Sequence, residues 1–265
     1  MSAPDIASVS QRIAIVSGIG PGLGRSIALG LAGDGATVVL AARNGARLDE
    51  VAGEIRAMGG EALAVVTDLT SADDRTRLVE RTVDTYGRID VLVNNAFSMG
   101  PMTPMLETGV EPWREAFEVN VFGTMDLTLA AVRVMQGHGG GAIVMISSQA
   151  IRRTAPRRGA YAASKSALMA ATNVLANEVG PLGIRINSVV PGQIWADQLR
   201  TFYEDVAARR GVEVQAVVDG VARDMALRRI PLADEIADAV VYLASDRASA
   251  ITGQALDVNG GNWFH

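Results

Sequence analysis

The chain of 265 residues contains no cysteine. A disulfide framework, a thiolate nucleophile and any cysteine-ligated metal are therefore excluded. Histidine is almost as scarce: His138 sits in a glycine-rich stretch and His265 is the last residue. Two such histidines leave little material for a Ser-His-Asp triad or a His-built metal site, so no metal is expected. No apolar run approaches the ~18 residues a membrane span requires. Residues 1–10 lack the basic start and apolar core of a signal peptide and read as a polar tail. With a net charge of −5, the chain offers no dominant basic face for nucleic acid. A soluble, cytoplasmic protein without membrane or nucleic-acid partners is the expectation. Aromatic residues make up only 5% while glycine is frequent, which suits closely packed helices and sheet.

Lysine is the most informative scarcity. Lys165 is the only one, and every other basic residue is arginine. It stands four residues after a tyrosine, in Tyr161-Ala-Ala-Ser-Lys165. On a helix that spacing places both side chains on one face, a turn apart. An ammonium beside a phenol favours the phenolate, so Lys165 is expected to lower the pKa of Tyr161 and fit it for proton transfer.

Apolar, β-branched runs alternate with helical periodicity along the chain. Ile13 to Val16 reads as a strand buried on both faces. It leads into Ser17-Gly18-Ile19-Gly20-Pro21-Gly22-Leu23-Gly24 and then a helix over Arg25 to Asp34. A glycine loop between strand and helix lets backbone approach a pyrophosphate, and the helix amino end offers free N–H groups. Thr37 to Ala42 is a second strand. Where an NAD site would place an acid, the chain reads Ala42-Arg43-Asn44, which favours a 2′-phosphate and hence NADP(H), with NAD(H) the alternative. Further strands are expected at Ala62 to Thr67, closed by Asp68-Leu69, then Ile89 to Val93, Ala142 to Ile146, Ile184 to Val190 and Ala255 to Val258. Helices are expected at Asn44 to Met58, Ser71 to Tyr86, Trp113 to Met135, Tyr161 to Val179 and Asp234 to Ser245. This alternation predicts one doubly wound α/β domain of Rossmann type, a seven-stranded, mostly parallel sheet with helices on both faces. The loop from Phe97 to Pro112 holds three methionines and either lines an apolar pocket or packs as ordinary core. Ala196 to Met225, charged and broken near Gly211, reads as a mobile lid. Arg152, Arg153, Arg157 and Arg158 either receive an anionic substrate, form a solvated loop or make a subunit contact.

From residue 12 to 261 the chain resembles the short-chain dehydrogenase/reductase family. Ser17, Gly18, Gly22 and Gly24 match its glycine loop, and Asp68-Leu69 its adenine-contacting pair. Asn94-Asn95-Ala96 is similar to the Asn-Asn-Ala-Gly that ends its fourth strand, with Phe97 in place of the last glycine. Asn120 resembles its structural and proton-relay asparagine, and Ser148, thirteen residues before Tyr161, its catalytic serine. Pro191-Gly192 and Ile194 match the segment that meets the nicotinamide, while Ala196 replaces a common threonine. The spacing resembles the Tyr-x3-Lys branch and not the Tyr-x6-Lys of enoyl reductases. The resemblance implies interconversion of a secondary alcohol and a carbonyl by hydride transfer. Tyr161 would act as general acid and base, Lys165 would lower its pKa and hold the nicotinamide ribose, and Ser148 would hold the substrate oxygen. Asn120 would relay protons through water. Phe97, Gln149 and Trp195 are candidate substrate contacts. The resemblance also implies a homotetramer or dimer built through the helices at Trp113 to Met135 and Tyr161 to Val179. Other classes compatible with the pattern are a catalytically idle nucleotide-binding regulator and an isomerase or dehydratase, the latter disfavoured by the lack of a large C-terminal substrate domain.

Arg43→Ala is expected to weaken NADP binding far more than NAD binding in a fluorescence titration of each. Equal losses would remove Arg43 from the cofactor argument.

Overall fold

The computed structural model describes residues 8–264. Seven strands form one sheet in the order β3-β2-β1-β4-β5-β6-β7: β1 Ile13–Ser17, β2 Thr37–Ala42, β3 Ala62–Val66, β4 Val91–Asn94, β5 Gly141–Ile146, β6 Ile184–Pro191 and β7 Ala255–Val258. Every pairing is parallel, so the expected mostly parallel sheet is parallel throughout. Side chains along each strand alternate between two apolar cores. Ala14, Val16, Val38, Leu40, Val91, Val93, Val144 and Val189 face one. Ile15, Val39, Leu92, Ile143, Met145 and Ile186 face the other. Continuous apolar strands follow from this, because neither face meets water.

The first core is closed by α1 (Leu23–Gly33), α2 (Gly45–Ala57) and α10 (Ala233–Ala244). The second is closed by α3 (Ala72–Tyr86), α6 (Thr124–Gln136) and α7 (Gly159–Val179). Helix starts follow their expected chemistry: the Asn44 side chain accepts from Arg47 N–H to cap α2, and Ser71 accepts from Asp74 N–H to cap α3. Strand order reverses between β1 and β4. The loops after those two strands therefore diverge and open a crevice at the carboxyl edge of the sheet.

Two expectations need correction. Residues 1–7 lie outside the described region, but Ser8 to Ser10 are not a loose tail. The Val9 side chain is fully buried in the first core, its N–H donates to Asp34 Oδ2 at 2.9 Å, and Ser8 Oγ donates to the Asp34 carbonyl at 2.6 Å. Nor is Trp113 to Met135 one α-helix. α5 (Trp113–Phe117) passes into a π-helical turn, Glu118–Gly123, before α6 begins. A β-carbon on Gly123 would stand 2.2 Å from the Leu69 carbonyl oxygen. The π turn thus brings bare backbone against the loop after β3 and places Asn120, at its centre, in the interior.

Two further helices follow β6: α8 (Asp197–Arg210), ended by Gly211 in the left-handed region, and α9 (Val214–Ala222). They share a small apolar cluster of Tyr203, Ala207, Val217, Met225 and Ile230, separate from the two sheet cores. The Met-rich loop after β4 carries one short turn, α4 (Met105–Thr108), that packs over the start of α7: a β-carbon on Gly159 would lie 2.9 Å from the Met105 sulfur.

Candidate active site

The end of β5 and the first turns of α7 bring Ser148, Tyr161 and Lys165 together. Ser148 follows β5, with an extended backbone, and starts a 3-10 turn over Gln149–Ile151; its Oγ accepts from Ala150 N–H at 3.2 Å. The same hydroxyl lies near enough to the Tyr161 phenol to favour its ionised form. Tyr161 is buried, with the Phe97 ring edge-on to it at a centroid distance of 6.1 Å. Lys165 lies one turn further along α7, 2% exposed, its Nζ 6.0 Å from the Tyr161 ring centre. That ammonium donates to the Ile146 carbonyl at 2.7 Å.

The electrostatics differ from expectation. Burial pushes the Tyr161 phenol above its ordinary value, and this outweighs the lowering by the Ser148 hydroxyl and by the charge of Arg158. Lys165 is not among the groups that lower it, because its ammonium is directed at the Ile146 carbonyl. Tyr161 is consequently a neutral phenol at physiological pH, with a proton to give. Burial also drives Lys165 down to about 8.

Asn120 is fully buried, and its amide makes three bonds. Its Oδ1 accepts from Ser98 N–H at 2.8 Å, and its Nδ2 donates to the Ser98 carbonyl at 2.8 Å and to Ser164 Oγ at 2.9 Å. Ser164 Oγ in turn donates to the Tyr161 carbonyl at 2.9 Å. Asn120 thereby joins the loop after β4 to the turn of α7 that carries Tyr161.

The glycine loop lies across the crevice. Gly18 has φ +90, and a β-carbon on it would fall 2.3 Å from the Ala96 nitrogen. Asn95 Nδ2 donates to the Gly18 carbonyl at 2.6 Å, locking loop to strand end. Gly24 packs equally tightly on the Gly18 carbonyl, whereas Gly20 has nothing within 4 Å of a β-carbon position and Gly22 meets only Ala196. Leu23 and Ile194 pack on the first core, and Ser17 is buried with its hydroxyl toward Asn94. Leu69 is buried in the second core. Asp68 accepts from the Thr70 backbone and hydroxyl, which holds its carboxyl below the usual range, with a smaller contribution from Arg43. Arg43 itself is exposed just beyond β2. Pro191 ends β6 and Gly192 donates to the Val258 carbonyl at 3.4 Å.

Three observations fit a dinucleotide. The amino end of α1 has neither a side-chain cap nor an acid in its first turn, so its N–H groups and positive dipole end are available to phosphate. Gly20 leaves open space beside it. Lys165, though buried, spends one of its three N–H donors on Ile146, and two donors remain for hydroxyl acceptors.

Of the candidate substrate contacts, Phe97 stands against Tyr161. The Gln149 Nε2 donates to Asn262 at 3.1 Å and its Oε1 lies against Gly192. Trp195 bridges to Leu232 and stacks near Tyr203 at 6.3 Å, on the α8 side. Met99, which sequence reasoning did not single out, packs against Ala150, Tyr161 and Ala162.

Comparison with known proteins agrees with this geometry. A family model described as Enoyl-(Acyl carrier protein) reductase matches residues 18–262. The 7alpha-hydroxysteroid dehydrogenase of Escherichia coli strain K12 is 32% identical over 257 residues, spanning 97% of this chain and 96% of that protein. A solved 7 alpha-hydroxysteroid dehydrogenase, complexed with NADH and 7-oxo glycochenodeoxycholic acid, superposes with a TM-score of 0.86 at 32% identity over 96% of this chain and 95% of its own. L-sorbose reductase from Gluconobacter frateurii, complexed with NADPH and L-sorbose, gives 0.92 at 30% identity over 97% and 98%. Fold and crevice thus define a nicotinamide-dependent oxidoreductase. The chain belongs to the short-chain dehydrogenase/reductase family.

The buried lysine has a measurable cost. Its folded pKa is below its unfolded one, so under pH 8 both states are protonated and the folded state bears the full desolvation. Above about pH 8 the folded state releases the proton first, and stability rises until the unfolded lysine also titrates. Lys165→Met is therefore expected to be more stable than the native chain at pH 7 by on the order of a few kcal/mol in urea unfolding, with the gap narrowing by pH 10. A gap that is absent, or that does not change with pH, contradicts this.

Proposed function

We propose that the protein interconverts a secondary alcohol and a ketone, with Tyr161 as the group that gives and takes the proton on the substrate oxygen. The observation that carries this reading is the approach of the Ser148 hydroxyl to the Tyr161 phenol, close enough to favour the phenolate. It brings two hydroxyls from different elements, the loop after β5 and the start of α7, together at the carboxyl edge of the sheet. A nicotinamide cofactor bound there would supply a hydride to the carbonyl carbon, or accept one from the alcohol carbon.

In reduction, the Ser148 hydroxyl donates to the carbonyl oxygen as negative charge grows there. Tyr161, neutral because it is buried, transfers its O–H proton to that oxygen and is left as a phenolate. The Ser148 hydroxyl and the charge of Arg158 stabilise that phenolate. Lys165 would also hold the ribose hydroxyls of a bound nucleotide through its two remaining donors. Asn120 keeps the Tyr161 turn and the Ser98 loop in register, and would help to connect Lys165 through water to solvent. In oxidation each proton step reverses.

Arg43, with no acid at the end of β2, supports NADP(H) over NAD(H); relatives bind one or the other. The family model's description names enoyl reduction, but the three-residue gap between Tyr161 and Lys165 supports carbonyl chemistry. 7alpha-Hydroxysteroid dehydrogenase and L-sorbose reductase, as named, act on alcohols or ketones. α8 and α9, with their own apolar cluster, form a substrate lid on a single catalytic domain. Exposed Phe122, Leu129 and Val174 support a homotetramer or dimer built through α6 and α7. Among the described residues no helix is long and apolar enough to cross a membrane, which accords with a cytoplasmic location.

Tyr161→Phe removes the transferable proton and leaves the nucleotide crevice intact. Turnover of a ketone and alcohol panel, followed by nicotinamide absorbance, is expected to fall by at least about a thousandfold while cofactor still binds. Retained turnover would overturn the role of Tyr161.

A further inference from the structure

Phe97 is an aromatic side chain that is 49% exposed, on a piece of backbone fixed at both ends. Ala96, just before it, packs so closely on the glycine loop that a β-carbon on Gly18 would fall 2.3 Å from the Ala96 nitrogen. Ser98, just after it, is held through both backbone groups. Its N–H donates to Asn120 Oδ1 and its carbonyl accepts from Asn120 Nδ2, each at 2.8 Å. Two residues further on, Gly100 has φ +60, and a β-carbon there would lie 3.1 Å from that of Ala160, the neighbour of Tyr161. The segment is thus pinned to the glycine loop, to the π turn and to the first turn of α7.

The Phe97 ring meets the Tyr161 ring at an interplanar angle of 65° with centroids 6.1 Å apart, the geometry of a favourable aromatic pair. About half of Phe97 therefore stays open beside the phenol, although burying it would be favourable. Its surroundings are neutral and apolar. No titratable side chain occurs from Val91 through Leu106, and the stretch supplies Met99, Met102 and Met105. Met99 packs against Tyr161 and its neighbours. Met102 and Met105 are half exposed, and the Met105 sulfur lies over Gly159 at the start of α7. Thioether sulfur and aromatic rings attract each other.

We propose that the substrate is an aryl ketone, or the benzylic alcohol formed from it, whose aromatic ring packs against the exposed part of Phe97. Phe97 touches the phenol that exchanges the proton, so the substituent within its reach is one carried on the carbonyl carbon. An aromatic ring gains there twice: by covering apolar surface, and by ring–ring and sulfur–ring attraction that a saturated group of the same size lacks. The fixed backbone leaves little to be ordered when such a ring binds. Phe97 is then a specificity-determining residue, an assignment that rests on the carbonyl reading of the Tyr161 site.

Acetophenone and cyclohexyl methyl ketone are close in size and differ in the character of the ring. Their reduction with NADPH and with NADH is measured for the native protein, Phe97→Leu and Phe97→Tyr, and the aryl-to-cyclohexyl ratio of kcat/KM is taken for each. Dividing the native ratio by that of a variant cancels the intrinsic reactivity of the two ketones. The quotient is expected to be about two to ten for Phe97→Leu, chiefly through KM, and about one for Phe97→Tyr, which keeps a ring. Leucine is apolar, so lost hydrophobic contact alone affects both ketones alike. A quotient below about two for Phe97→Leu, or an equal loss in Phe97→Tyr, overturns the role of Phe97 and leaves the carbonyl reading standing. If the native protein reduces neither ketone but turns over other members of the ketone and alcohol panel, the aryl assignment alone falls. Silence across the whole panel overturns both.

Discussion

The hydrogen bond from Lys165 to the Ile146 carbonyl is the contact on which the site depends. It fastens α7 to the last residue of β5, and the orientations of Ser148 and Tyr161 follow from those two elements. An ammonium with 2% exposure and one carbonyl partner is costly, which explains its depressed pKa. A fold driven only by stability would have an apolar residue there. Two of its donors remain open to hydroxyl acceptors, an arrangement that a compact ammonium allows and the broad planar fork of arginine does not.

Around that contact, the parallel sheet acts as an alignment device. Because all strands run one way, the ends of β1, β4, β5 and β6 reach a common edge, and the reversal between β1 and β4 opens it. Gly18 against Ala96 and Asn95 on the Gly18 carbonyl fix the nucleotide side. Asn120, set inward by the π turn, fixes the opposite side by clamping the Ser98 loop to the base of the Tyr161 turn. The two sides meet in the single segment Asn95 to Ser98 that leaves β4.

Much of this was legible in the sequence, because strands buried on both faces must be apolar and because glycine loops and helix caps depend on local chemistry. All seven strands and the pairing of Tyr161 with Lys165 follow from such local signals, whereas the place of Ser148 beside them was implied only by resemblance to the family. The rest depends on tertiary contacts that leave no local mark. The π turn arises because Gly123 meets a carbonyl from a loop over fifty residues earlier in the chain. Val9 is buried by Asp34, a distant partner that composition does not reveal. Gln149 donates to Asn262 near the carboxyl end of the chain, a pairing that its place beside Ser148 in sequence does not reveal. The phenol of Tyr161 is raised, not lowered, because helical spacing gives nearness but not burial or the direction of an ammonium.

Since Lys165 is the only lysine, labelling the protein with lysine enriched in carbon-13 at Cε gives one resonance for the group at the centre of this account. Its titration, followed with and without a nicotinamide nucleotide, tests the claim most directly. The expected result is a midpoint of about 8 in the free protein and a marked change in shift and midpoint when the nucleotide binds. A midpoint near the ordinary lysine value of about 10.4, unmoved by nucleotide, would contradict it.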